Sequence, residues 1–148
     1  MNKNWLTKTN LPSTLLIIFL SLIISCTPKL KTTEPLPVGD NSMVSLDWNG
    51  TYTGTLPCAD CVGIETWLTL NLDKTFLIKT KYLGKNDSFQ EKSGIFTWNK
   101  AGSIVILQGI SNAPNQYSVG ENILFQLDMS GKRITGNLAD KYQLKKVQ

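Results

Sequence analysis

From Trp48 to the C-terminus, apolar residues recur with a period of two, and turn-forming residues interrupt them about every 8–12 positions. This alternation constrains the chain more than any other feature, because it places side chains on the two faces of strands and does not suit a helix. In Ile64–Leu72, the residues Ile64, Thr66, Leu68, Leu70 and Leu72 point one way, and Glu65, Trp67, Thr69 and Asn71 the other. A short Asp73-Lys74 turn leads into Thr75–Tyr82, with Phe76, Ile78, Thr80 and Tyr82 inward. Trp48–Leu56 reads as the strand before this hairpin, and Leu83–Glu91 as a loop after it. Ser93–Trp98, Ser103–Leu107, Asn115–Val119, Asn122–Leu127, Lys132–Leu138 and Lys141–Val147 read as further strands. The prediction is an all-β domain, an antiparallel meander β-barrel of about eight strands, since closure removes the exposed edges of an all-strand fold. At about eight strands the interior is filled by side chains or holds one small ligand.

Composition narrows the chemistry. The 148 residues suffice for one domain, and 41% hydrophobic residues supply a core. There is no histidine, which excludes His-based acid/base catalysis, serine-hydrolase triads and His-containing metal sets. Glu65, Asp73, Asp87, Glu91 and Asp128 fall on outward faces or turns, so no acid/base pair is visible and the chain does not read as an enzyme. The basic residues (Lys74, Lys79, Lys100, Lys132, Lys141, and the closer pair Lys145-Lys146) are scattered. They form no basic stripe with aromatic platforms, which speaks against nucleic acid.

The N-terminus reads as delivery. Residues 1–10 are polar with Lys3 and Lys8, and Leu11–Ile24 is almost wholly apolar. That run is shorter than the roughly 20 residues of a spanning helix and fits the apolar region of a signal peptide. Ile23-Ile24-Ser25-Cys26 resembles a bacterial lipobox, in which cleavage precedes the cysteine and its thiol is lipidated. We therefore expect a signal peptide over 1–25, a lipidated Cys26 and flexible tether over 26–46, and a folded domain over 47–148. The tether spans roughly 25 Å as a coil, and two or more acyl chains give stable anchoring. Removing the leader leaves 13 basic residues against 11 acids, a net +2. Thr27, and the lack of an acidic run after Cys26, point to an outer-membrane lipoprotein facing the periplasm. Lipidation of Cys26 also leaves an even pair, Cys58 and Cys61.

That pair sits in Gly54-Thr55-Leu56-Pro57-Cys58-Ala59-Asp60-Cys61-Val62-Gly63-Ile64, between two strands. Positions i and i+3 of a β-turn lie within about 7 Å, matching the Cα separation across a disulfide, and an exported compartment is oxidising. A structural disulfide is the default. Two thiolates also suit copper(I), a soft ion of low coordination, with Met43 and Met129 as further sulfur donors if the fold brings them near. Asp60 is a poor partner for that ion, and zinc lacks two further good ligands. A redox pair ordinarily opens a helix that lowers a thiol pKa. No helix follows here, and Asp60 would raise it. Spacing alone leaves staple, metal clamp and redox device open. Trp67 and Trp98 either line a ligand cavity or pack in the core or at its rim.

Tyr52-Thr53-Gly54-Thr55-Leu56-Pro57-Cys58-Ala59-Asp60-Cys61-Val62-Gly63-Ile64-Glu65-Thr66 is similar to the signature of the N-terminal domain of the NlpE lipoproteins, a family linked to copper resistance. The likeness continues through Gly94–Trp98, Ile104–Leu107, Tyr117–Gly120, Leu127–Lys132 and Tyr142–Lys145, covering the chain from about Gly50. The resemblance implies a lipocalin-like barrel with a role in copper tolerance, adhesion or envelope-stress sensing upstream of a sensor kinase. Enteric members carry a second domain with another cysteine pair, whereas this sequence holds the first. The expectation is a lipid-anchored, non-catalytic binding or sensing module, with Cys58 and Cys61 as disulfide or copper(I) ligands. Competing readings are a lipocalin-like carrier of a small apolar ligand, which a packed interior would exclude, and a structural lipoprotein with a stapled turn.

Overall fold

The structure is a computed structural model that describes residues 41–148. The expected signal peptide, Cys26 and the tether up to residue 40 lie outside the described residues. Eight antiparallel strands close into a barrel in which each pairs with its sequence neighbours: β1 (Gly50–Leu56), β2 (Gly63–Leu70), β3 (Thr75–Leu83), β4 (Asn86–Trp98), β5 (Ile104–Leu107), β6 (Gln116–Gly120), β7 (Ile123–Gln126) and β8 (Gln143–Lys146). The meander barrel expected from the alternation is the fold observed. Its seam is short: β1 meets β8 at Tyr52↔Lys146 and Thr53↔Lys145.

The period of two sets the interior. Thr66, Leu68 and Leu70 of β2 are buried, while Trp67 between them is exposed. Tyr52, Phe76, Phe96, Val105, Leu107, Val119, Leu124 and Leu144 join them in one core. Simple up-and-down order sends alternate connections to opposite ends of the barrel. The end carrying the β2–β3 and β4–β5 turns is closed by aromatics: Trp48 packs edge-on against Phe96 (5.8 Å) and Trp98 (5.5 Å). There Tyr52 Oη donates to the Trp48 carbonyl at 2.7 Å, satisfying a buried hydroxyl.

Residues 42–46, which the sequence reading places in the tether, fold onto this closed end. A single helical turn, α1 (Ser42–Ser45), is fixed by Ser42 Oγ donating to Val119 O (2.7 Å), Met43 N donating to Gly102 O (2.9 Å) and Trp48 Nε1 donating to Met43 O (3.0 Å). Leu46 packs against the core. The folded part thus begins before residue 47, and four residues are too few to show a helical period in sequence.

Two segments differ from expectation. Leu83–Glu91 is not a loop: β3 and β4 continue as a paired ribbon up to a turn at Gly84-Lys85, with Gly84 at φ +80. Lys85, Ser88, Phe89 and Gln90 are exposed, so successive residues on both faces are wet and no apolar alternation marks the strand. Conversely, Lys132–Leu138 is not a strand. It keeps one bridge, Leu127↔Arg133, with Arg133 stacked over the Phe125 ring at 3.4 Å, then turns at Gly136 (φ +97) into a 3-10 turn, Ala139–Lys141.

Candidate functional site: the cysteine turn and the open end of the barrel

The other end of the barrel carries the β1–β2, β3–β4, β5–β6 and β7–β8 connections. The first of these is the cysteine turn. Cys58 and Cys61 are joined by a disulfide with Cα atoms 5.3 Å apart. The sequence brings them together because Pro57 fixes φ on entering the turn, while Gly63 packs where a Cβ would lie 2.6 Å from Thr55 Cγ2.

The turn is tied to the tip of the β3–β4 ribbon. Lys85 Nζ donates to the Asp60 carboxylate, and Val62 N donates to Leu83 O at 3.1 Å. The hydrogen bond from Lys85, and then its charge, hold the exposed Asp60 carboxyl below the usual carboxylate range. Asp60 Oδ1 lies 3.5 Å from Cys58 Sγ, and the potential ligand atoms of Cys58, Asp60 and Cys61 all fall within 4.8 Å of one another. As a disulfide the sulfurs are weak donors. Two electrons and two protons from a thiol reductant would give two thiols, which ionise to a soft pair on one side of a turn. Asp60, held by Lys85, adds only a hard oxygen. Met43 is in α1 at the opposite end, and Met129 is exposed in the β7–β8 connection.

Behind the turn the barrel interior is not filled. A cavity of about 550 Å³ opens at this end, with Pro57 and Ala59 of the turn on its rim. Leu56, Ile64, Ile78 and Ile110 supply apolar wall, and Tyr117 and Gln126 lie on the inner side. Gln126 Nε2 donates to Tyr117 Oη at 3.4 Å. Burial pushes the Tyr117 hydroxyl up to about 12, against the opposing pull of that hydrogen bond, so it stays neutral at physiological pH.

The two tryptophans weighed as cavity lining are elsewhere. Trp67 faces outward, its Nε1 3.4 Å from Glu65 Oε1, and Trp98 packs in the aromatic cluster at the closed end. Sequence reasoning passed over Gln126, whose amide occupies a core-facing position two residues after buried Leu124. A polar residue in the inward phase was the available signal.

The sequence model of the NlpE N-terminal domain family matches residues 52–137. Over 120 residues the chain is 28% identical to Lipoprotein NlpE of Escherichia coli (strain K12), covering 80% of this chain and 49% of that protein. It therefore spans about half the length of the curated relative it matches. Among solved structures, a chain of Shewanella oneidensis described as a lipoprotein superposes with a TM-score of 0.67 at 49% identity, covering 73% of this chain and 96% of the other. The Cpx pathway activator NlpE of Escherichia coli aligns at 29% identity and a TM-score of 0.47, covering 60% and 46% of the two chains.

Proposed function

Since the chain belongs to the NlpE N-terminal domain family, we propose that it is a lipid-anchored, non-catalytic sensing module of the bacterial envelope, responding through its cysteine turn to copper or surface stress. The observation that carries this reading is the placement of Cys58 and Cys61. They form a half-buried, small-loop disulfide at the barrel end, joined through Asp60–Lys85 and Val62–Leu83 to a second hairpin. A change in the sulfur state of such a turn alters the rim of the barrel and leaves its distant core intact. The lipobox-like Ile23-Ile24-Ser25-Cys26 and the lipoprotein relatives support anchoring at Cys26. Thr27, and the lack of an acidic run after Cys26, favour the outer membrane with the domain facing the periplasm. The relative described as a Cpx pathway activator supports an envelope-stress sensor kinase as the partner. The absence of histidine from the sequence argues against catalysis.

Copper(I) is the metal the reduced pair suits, with Cys58 and Cys61 as its two thiolate ligands. Titrating the reduced protein with copper(I) against a chromophoric chelator should give one bound equivalent, lost in Cys58→Ser. Unchanged binding in that variant removes copper from the proposal. Thiol counts on protein taken from the periplasm, with copper supplied and withheld, test sensing separately: a count that never changes would leave the turn as a staple.

A further inference from the structure

The cavity at the open end has no part in the cysteine chemistry above, and its own lining says what it would hold. Native interiors contain few voids larger than a water molecule, whereas binding sites for small molecules run from about 300 to 1,000 Å³. At about 550 Å³ this space falls in the second class. Its innermost polar groups are engaged with the protein: Gln126 Nε2 donates to Tyr117 Oη (3.4 Å), and Thr66 Oγ1 donates to Ile64 O (3.2 Å). Leu56, Ile64, Ile78 and Ile110 give it a largely apolar wall, with Thr80 level with Thr66 and Tyr82 level with Ile64 toward the open end.

The mouth carries a charge. Lys92 is directly opposite Ile78 in the β3–β4 register, and opposed residues of an antiparallel pair project to the same face. Lys92 therefore stands on the cavity side of β4, where it lines the opening and is exposed. Its neighbour Glu91 also borders the cavity, but its carboxylate is held by Lys79 at 2.7 Å. No carboxylate pairs with Lys92 among the described residues.

From the apolar depth and the unpaired cation at the mouth, we propose that the barrel binds one single-chain anionic amphiphile, its alkyl chain inside and its acidic head at Lys92. This does not depend on the cysteine turn being a sensor, although Pro57 and Ala59 on the rim would touch the occupant.

The test is calorimetric titration of the full chain with straight-chain carboxylates from hexanoate to dodecanoate. One ligand should bind per chain, tightening about fourfold per added methylene until the cavity is full. Lys92→Glu should weaken decanoate about tenfold while leaving 1-decanol within about twofold. Ala113→Trp, in the loop at the mouth, and Ile78→Trp, on the wall, should each abolish binding of both. Circular dichroism identifies a variant that has simply failed to fold, and Ala113, outside any strand, keeps the test usable if Ile78→Trp does. Decanoyl lysophosphatidic acid tells a lipid phosphate from a free carboxylate, and saturable binding of either supports the site. The proposal is overturned by no saturable binding of either the carboxylates or the lysophosphatidic acid, by equal affinity along the series, or by undiminished binding in the filled variants. An unchanged carboxylate-to-alcohol ratio in Lys92→Glu overturns the assignment of the head.

Discussion

Cys58 and Cys61 close so short a loop that their bond contributes only about 2 kcal/mol on the chain-entropy model. Its consequence is the local shape of a rim rather than the survival of the barrel, which suits a residue pair whose state is read. Tyr117 has the opposite character: it is 1% exposed, and its state is fixed by the fold. Burial raises its hydroxyl to about 12, and Tyr52 is likewise pushed up to about 12, by burial and then by the charge of Asp47. The sign follows from which form the fold keeps. Below the unfolded value of about 10 both states hold the proton and stability is complete. Between about 10 and 12 the unfolded chain releases protons that the native state retains, so stability falls as pH rises. For Tyr117 the loss amounts to at most about 3 kcal/mol. Urea unfolding at about pH 8 and about pH 11.5 should show the decline, and Tyr117→Phe should shrink it. An identical decline in the variant would mean that Tyr117 ionises as readily in the folded state.

Among the elements, the β1–β8 seam is where closure is most exposed to a single change. Two register pairs join these strands, and Gly54 lets them approach: a Cβ there would lie 2.6 Å from Gln143 O and 3.2 Å from Leu144 Cδ2. The first of these is backbone and cannot rotate away. Gly54→Ala should therefore cost about 1–3 kcal/mol in urea unfolding, and near-ultraviolet dichroism should show the strained seam. Elements were legible in sequence where one face is buried and the other wet, as in β2 and β3, whose inward residues follow from alternation alone. The outer β3–β4 ribbon was not, because both its faces are wet. Lys132–Leu138 alternated without a partner strand to complete it. The cysteine turn was legible as a turn, but its tie to Lys85 joins residues 25 apart through two loops, and no local pattern encodes that.

At the scale of the whole molecule, the barrel is filled at one end and hollow at the other, and alternation cannot distinguish the two. Ile64 and Leu68 have the same phase in β2, yet Leu68 is fully buried in the core while Ile64 borders the cavity. What separates them is the sum of side-chain volumes contributed by strands far apart in sequence. The aromatic cluster of Trp48, Phe96 and Trp98 occupies the closed end, and at the open end Thr66, Thr80 and Gln126 stand where larger apolar groups would be needed to fill the space. The cost of truncation should follow this division. Phe96, 0% exposed and in edge contact with both tryptophans, leaves a new void when replaced by alanine, and Phe96→Ala should cost about 3–5 kcal/mol. Ile64 already has empty space on one side, so fewer contacts are lost and Ile64→Ala should cost only about 1–2 kcal/mol. Paired urea-unfolding curves measure the difference directly. Equal costs would mean that the open end is packed in solution, and that the barrel has one core rather than a core and a chamber.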